Sequence, residues 1–223
     1  MSVDFDLMPR IPLAVTLKKQ VHKTTAQAQD ILVSEVYSAV PKAILHGGTA
    51  IWRCYQGTRF SEDVDFYHLP LDSATLKSLL KGLERKGLEA QKAKRTSNAL
   101  FAKFSYEGAV VRYEAVYKRV KNEVLRPYEL FDGNYAMVRT LSPEALIMEK
   151  VAAYAARGKA RDLYDIVHLL PAVSDEGSVR PALKTLLAEL HPPQDAGVLK
   201  AVIISGPVPT VGEMKEALEN WAK

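Results

Sequence analysis

Two short motifs, Gly47-Gly48-Thr49 and, fourteen residues after Thr49, Asp63-Val64-Asp65, constrain the fold more than any other part of the chain. Ala43 to His46 reads as a short strand running into the glycines. Ala50 to Gln56 reads as a helical stretch whose end Gly57 suits, and Asp63 to His68 as a second strand. In an extended strand residues i and i+2 point the same way, so Asp63 and Asp65 project side by side. Two adjacent carboxylates repel unless something positive lies between them, and a hard divalent cation such as Mg²⁺ meets that need. The glycines serve a different end. Lacking Cβ atoms, they let backbone N–H groups approach a phosphate at a helix start, where the dipole also favours negative charge. One strand–helix–strand unit therefore carries a phosphate cradle and a metal clamp, the two parts phosphoryl transfer needs most. Singly, a Gly-Gly is usually a turn and a D-x-D a solvated strand edge; their order and spacing carry the reading.

The rest of the chain supports a mixed fold. Ala28, Ile31, Leu32, Val36 and Ala39 keep a helical rhythm over Val21 to Val40, which Pro41 stops. Ser73 is placed to cap a helix with the stripe Leu76, Leu79, Leu80 and Leu83, ending near Gly87. Leu88 to Lys94, Ala99 to Tyr106 and Ala109 to Tyr117 read as strands, the last two a hairpin around Glu107-Gly108. A short strand, Ala136 to Arg139, precedes a helix capped by Ser142 with Pro143 at its first position. Helical patterns then dominate, with loops at Pro192-Pro193 and Gly206 to Pro209. The expected class is α+β: a mixed sheet with helices over residues 1–140 and a C-terminal helical bundle over 141–223.

The stretch ILHGGTAIWRCYQGTRFSEDVDFY, Ile44 to Tyr67, resembles the nucleotidyltransferases of the DNA polymerase β-like superfamily. More narrowly, GGTA followed by R-x-S-x-D-h-D-F is similar to the AbiEii type of abortive-infection and type IV toxin–antitoxin nucleotidyltransferases. The resemblance implies that Asp63 and Asp65 hold metal, with two Mg²⁺ ions expected and Mn²⁺ as a substitute. It also implies that Gly47, Gly48, Thr49, Arg59 and Ser61 bind the nucleotide. Arg59 would use charge-assisted hydrogen bonds and Ser61 its hydroxyl. Glu114, in VVRYEAVY, is the candidate third carboxylate. A glutamate in so apolar a strand is costly unless paired or metal-bound, and a salt bridge to Arg112 or Arg53 is the equal alternative.

A second constellation lies in EKVAAYAARGKARDLYDIVHLL. Lys150 and Arg157, seven residues apart, share a helix face; Gly158 breaks that helix, and another starts near Ala160. Asp162 and Asp165, three apart on it, face several basic side chains, which reads equally well as an ion-pair clasp between two helices. The family resemblance implies that Lys150 and Arg161 contact nucleotide. It also implies that Asp162 or Asp165 assists catalysis as a base, the edge position of Asp162 favouring it.

Composition then bounds the partners. A net charge of +4 permits a phosphate-bearing partner without requiring one. No apolar run approaches the roughly 18 residues of a membrane span, and MSVDFDLMPR does not read as a signal peptide. The single cysteine, Cys54, excludes an intrachain disulfide and fits a packed thiol in a cytoplasmic protein. The resemblance points to NTP as donor and to tRNA or another RNA as acceptor, with a protein hydroxyl or a small molecule as further possibilities. It also points to a cognate antitoxin. The alternative function is a catalytically inactive module of the same fold that binds nucleotide or RNA.

Overall fold

The computed structural model describes residues 11–121 and 123–223. The opening ten residues, the ones read as lacking a signal peptide, lie outside the described residues. In chain order come α1 (Leu13–Thr16), α2 (Gln20–Ala39), β1 (Ile44–His46), α3 (Gly47–Cys54), β2 (Asp63–His68) and α4 (Ser73–Arg85). Then follow β3 (Glu89–Arg95), β4 (Ala99–Tyr106), β5 (Ala109–Tyr117), β6 (Glu123–Glu129) and β7 (Tyr135–Leu141). The chain finishes with α5 (Pro143–Arg157), α6 (Ala160–Leu169), α7 (Glu176–Ala188), α8 (Leu199–Val202) and α9 (Val211–Ala222).

The strands form one mixed sheet in the order β3-β4-β5-β2-β1-β7-β6. β2 and β5 run parallel at its centre, and β1 is antiparallel to β2 but parallel to β7. Period-two alternation sorts the faces. Val64 and Phe66 of β2, Val111, Tyr113 and Ala115 of β5, and Leu100 and Phe104 of β4 are buried together with α2 and α4 residues such as Leu32, Val36, Leu79 and Leu83. The opposite face keeps Asp63 and Asp65. Beyond β7 the helices pack through Leu146, Ile147, Leu163, Ile166, Leu183 and Leu218, continuous with the same core. This is the expected α+β architecture, a mixed sheet followed by helices. Among the described residues no helix is long and apolar enough to cross a membrane.

Local chemistry explains most boundaries, and four expectations need correction. The cap of α4 is Asp72, whose side chain accepts from the Thr75 N–H at 2.7 Å; a carboxylate at a helix N-terminus gains from the dipole as well as the hydrogen bond, and Ser73 becomes the first helical residue. α3 begins at Gly47 rather than Ala50, so both glycines are helical. At its end Gln56 takes the left-handed backbone, while Gly57 donates its N–H to Ile51 and is needed for space: a Cβ there would stand 2.8 Å from the Trp52 Cα. The sequence pattern does not predict β6, because Pro127 sits inside it. Proline removes a ladder donor and is tolerated here because β6 is the sheet edge.

Candidate active site

β1 ends at His46 and turns at once into α3, with Gly47 at φ 71°. The turn brings the start of α3 against β2. A Cβ on Gly47 would collide with the Asp65 carboxylate, and one on Gly48 would lie 2.6 Å from both Arg59 Nη2 and Ser61 Oγ. The glycines are thus required by the closeness of the helix start to the residues that share the cleft. Thr49 is fully buried, and its hydroxyl donates to the Asp63 carbonyl at 2.5 Å, so its side chain ties α3 to β2 and is not part of the cleft lining.

Asp63, Asp65, Gly47, Gly48, Arg59, Ser61, Glu114, Lys150 and Arg161 line one cleft of about 480 Å³. Two motifs about a hundred residues apart in sequence therefore meet. His46, Tyr67 and Glu149 also line it and were not singled out from sequence. The His46 and Tyr67 rings stack at 3.7 Å, and Glu149 takes the Tyr67 hydroxyl at 2.6 Å and pairs with His46 Nδ1 at 3.1 Å. The signal available in sequence was slight: His46 directly precedes Gly47, Glu149 directly precedes Lys150, and Tyr67 lies two residues after Asp65.

The carboxylates are electrostatically crowded. Burial, reinforced by the charges of Asp63 and Glu114, pushes the Asp65 carboxyl up to about 6, against the pull of His46 and Lys150. Asp63 instead meets Arg112, whose Nε donates to it at 2.6 Å. Glu114 departs from expectation. Its strand face, shared with Val110, Arg112 and Val116, is the open one, so it is part-exposed rather than buried. It forms neither expected salt bridge, because Arg112 is held by Asp63 and Arg53 by Asp30. Pairing of β2 with β5 sets it directly beside Asp65.

The second constellation is a buried ion-pair cluster. Asp165 takes Arg59 Nε and Nη2 at 2.8 and 2.9 Å and Lys150 Nζ at 2.7 Å. Asp162 takes Arg157 Nε and Nη2, both at 2.7 Å, with Lys150 3.5 Å away. Burial alone would raise the Asp165 carboxyl, but Arg59 and Lys150 hold it down at about 2. Both aspartates are almost wholly buried, so an edge position does not set Asp162 apart. Lys159 lies outside the cluster, 3.6 Å from Asp195. Arg161 is exposed at the cleft and forms no ion pair among the described residues.

The loop between α3 and β2 is held from several sides. Gln29, fully buried on α2, donates to the Ser61 and Glu62 carbonyls at 2.7 and 3.1 Å. The Phe60 N–H donates to Val202, and Thr58 accepts from the Ile204 N–H. Arg59 and Ser61 are therefore presented by a braced loop.

The sequence profile of the family described as nucleotidyl transferase AbiEii toxin, type IV TA system, matches residues 31–196. The chain belongs to this family. It is a nucleotidyltransferase, and the motifs from Gly47 to Asp65 and from Lys150 to Asp165 both fall within the matched span. No curated protein matches the chain. Among solved structures it is similar to JHP933 from Helicobacter pylori, with 21% identity, a TM-score of 0.65 and coverage of 92% of this chain and 91% of that one. It is also similar to MenT4, a nucleotidyltransferase toxin of Mycobacterium tuberculosis, with 18% identity, a TM-score of 0.62 and coverage of 95% and 88%. A putative nucleotidyltransferase from H. pylori has 18% identity, a TM-score of 0.59 and coverage of 92% and 93%. At these identities the structures establish the shared fold.

Proposed function

We propose that this nucleotidyltransferase transfers a nucleoside monophosphate from a Mg²⁺-bound NTP to the 3′ end of an RNA, with tRNA the favoured acceptor, and releases pyrophosphate. Its setting would be the cytoplasm, as the toxin of a pair with a cognate antitoxin. The observation that carries this reading is the convergence of the Asp63 and Asp65 carboxylates, the Gly47-Gly48 helix start and the Lys150 and Arg161 cations on one cleft.

The residues present fit a metal ion that arrives with its nucleotide. Among the described residues no three carboxylate, imidazole or thiol groups form a ready metal cage. Mg²⁺ does not need one, since it is commonly held by one or two carboxylates and completed by phosphate oxygens and water. Asp63 and Asp65 would supply those carboxylates, with Glu114 as an adjacent third, and Mn²⁺ suits the same oxygen donors. When bound, the metal neutralises charge on the transferring phosphoryl group.

The chain's own groups do the rest. The Gly48 backbone and the Ser61 hydroxyl would receive the phosphates beside the α3 N-terminus. Arg161 and Lys150 would balance their charge from the helical side, with the strand-and-helix half before α5 and the helices from α5 onward as the two walls of the cleft. Asp165 and Asp162 act as positioning residues that hold Arg59, Lys150 and Arg157. A carboxyl held near 2 by two cations is a poor acceptor of a hydroxyl proton, so the base role does not fall to Asp165. Glu114, beside Asp65 and free of ion pairs among the described residues, would be open to take it where it is not itself engaged by the metal.

The test is incubation with Mg²⁺, each α-labelled NTP in turn and total tRNA, beside a folded Asp63→Asn/Asp65→Asn variant. Label on RNA from the wild type alone supports the proposal and names the base. Label on protein would keep the chemistry and replace the acceptor. Nucleotide binding without label anywhere would favour the inactive module.

A further inference from the structure

The open face of the sheet continues the site toward its free edge. Strand pairing sets Arg112 beside Asp63, Lys103 beside Arg112, and Lys92 beside Lys103. The neighbouring row runs Asp65, Glu114, Phe101, Lys94. Residues paired across strands share a face, so both rows lead from the D-x-D carboxylates to β3 at the edge. Three strand spacings of about 4.8 Å make this track roughly 14 Å long. Lys92, Lys94 and Lys103 are exposed, and Phe101 keeps 40% of its surface in solvent.

Lysines on an edge strand commonly guard against strand-to-strand association. That account covers Lys92 and Lys94 but not Lys103, which lies on an interior strand, nor an exposed phenylalanine between them. The three lysines form no ion pair among the described residues, whereas Arg112 is already engaged by Asp63. Uncompensated ammonium groups gathered on one face repel each other, and a polyanion laid across them relieves that repulsion. An exposed ring among them adds a stacking surface that every unpaired base accepts.

We propose that this track binds a single-stranded polynucleotide, with Lys92, Lys94 and Lys103 on its phosphates and the Phe101 ring stacked on an unpaired base. That the strand delivers its terminal hydroxyl to Asp63 and Asp65 rests on the nucleotidyl-transfer reading; the binding itself does not. A duplex keeps its bases stacked inside and offers Phe101 no face, which is why the occupant is a single strand.

The experiment is fluorescence anisotropy with a labelled mixed-sequence oligoribonucleotide of roughly ten nucleotides, without NTP, over a range of salt. Lys92→Ala/Lys94→Ala/Lys103→Ala should weaken binding at least about ten-fold. It should also reduce the slope of log affinity against log salt by about 2, since each single-strand phosphate contact contributes about 0.7. The triple Lys→Arg variant should retain binding, which separates charge from folding. Phe101→Ala should weaken binding about ten-fold and Phe101→Tyr should restore it. Alanine variants within two-fold of wild type would overturn the proposal. So would equal, Phe101-independent binding of heparin or of blunt duplex RNA. Label transfer run on the same proteins separates the two readings. Track-dependent binding with no transfer by any NTP would uphold the track and defeat the proposed chemistry. Transfer untouched by the triple alanine variant would do the reverse.

Discussion

Arg59 and Asp165, 106 residues apart in sequence, form a two-pronged ion pair that is almost entirely removed from solvent. It joins the loop ahead of the D-x-D strand to α6, so the nucleotide-facing loop and the helical half are positioned by one contact. Lys150 leans on the same carboxylate, which makes Asp165 the common anchor of two cleft cations.

Removing that anchor should cost more than removing a carboxylate from the open cleft. Asp165→Asn leaves a buried guanidinium without its counter-charge, a change that typically costs about 3–5 kcal/mol. Asp63→Asn, at a half-exposed pair with Arg112, should cost about 1 kcal/mol or less. Urea unfolding at neutral pH measures both. Equal costs would show that Arg59 finds another partner.

The same pair should set the acid limit of the fold. The Asp165 carboxyl lies near 2 in the folded protein, below its ordinary value of 3.8. Its stabilising contribution is therefore complete above about pH 4 and lost as pH falls through 2. Wild-type stability should drop more steeply across that window than the stability of Asp165→Asn. Parallel curves from acid titration of the unfolding midpoint would contradict the assignment.

Asp65 should show the opposite sign. Its folded carboxyl, near 6, binds a proton more tightly than the unfolded chain does, so stability declines as pH rises from about 4 through 6. In metal-free buffer at pH 7, Asp65→Asn should be more stable than wild type, by on the order of 1–2 kcal/mol once solvent screening at the open cleft is allowed for. Added Mg²⁺ with NTP should raise the wild-type melting temperature and leave the variant's nearly unchanged. A destabilised variant would mean that Asp65 is relieved by contacts other than metal.

Gly48→Ala should separate close packing from glycine's general flexibility. Its Cβ meets Arg59 Nη2 and Ser61 Oγ at 2.6 Å, so overpacking should cost about 1–3 kcal/mol and displace both groups from the cleft. Gly212→Ala, inside α9 with room around it, should instead stabilise by about 0.4–1 kcal/mol. Calorimetry and NTP titration of the two variants check the contrast. Undiminished nucleotide affinity in Gly48→Ala would remove the α3 start from the phosphate site.

Much of the fold was legible because it depends on neighbours in the chain. Asp63–His68, Ala99–Tyr106 and the Ser142-Pro143 helix start appear where alternation and capping chemistry put them. β6 was hidden because the rule against proline in strands relaxes at an edge, and edges exist only once the sheet is assembled. Nine residues of the cleft could be named in advance as site candidates; His46, Tyr67 and Glu149, and the partners of the rest, could not. The Thr49 hydroxyl is engaged by the Asp63 carbonyl and Glu114 lies on the face the sheet leaves open, and neither follows from the residues around it in the chain.

By itself the sequence determined the periodic elements, the paired carboxylates on one side of β2 and the glycines that let a helix start beside them. These follow from backbone geometry within a few residues. Only the tertiary structure decided which cations Asp162 and Asp165 hold, that His46, Tyr67 and Glu149 close one wall of the cleft, and that Lys92, Lys103 and Arg112 fall in one row. Ion pairing and strand register are set by the packing of segments far apart in the chain. A shift of one residue would turn each side chain to the other face.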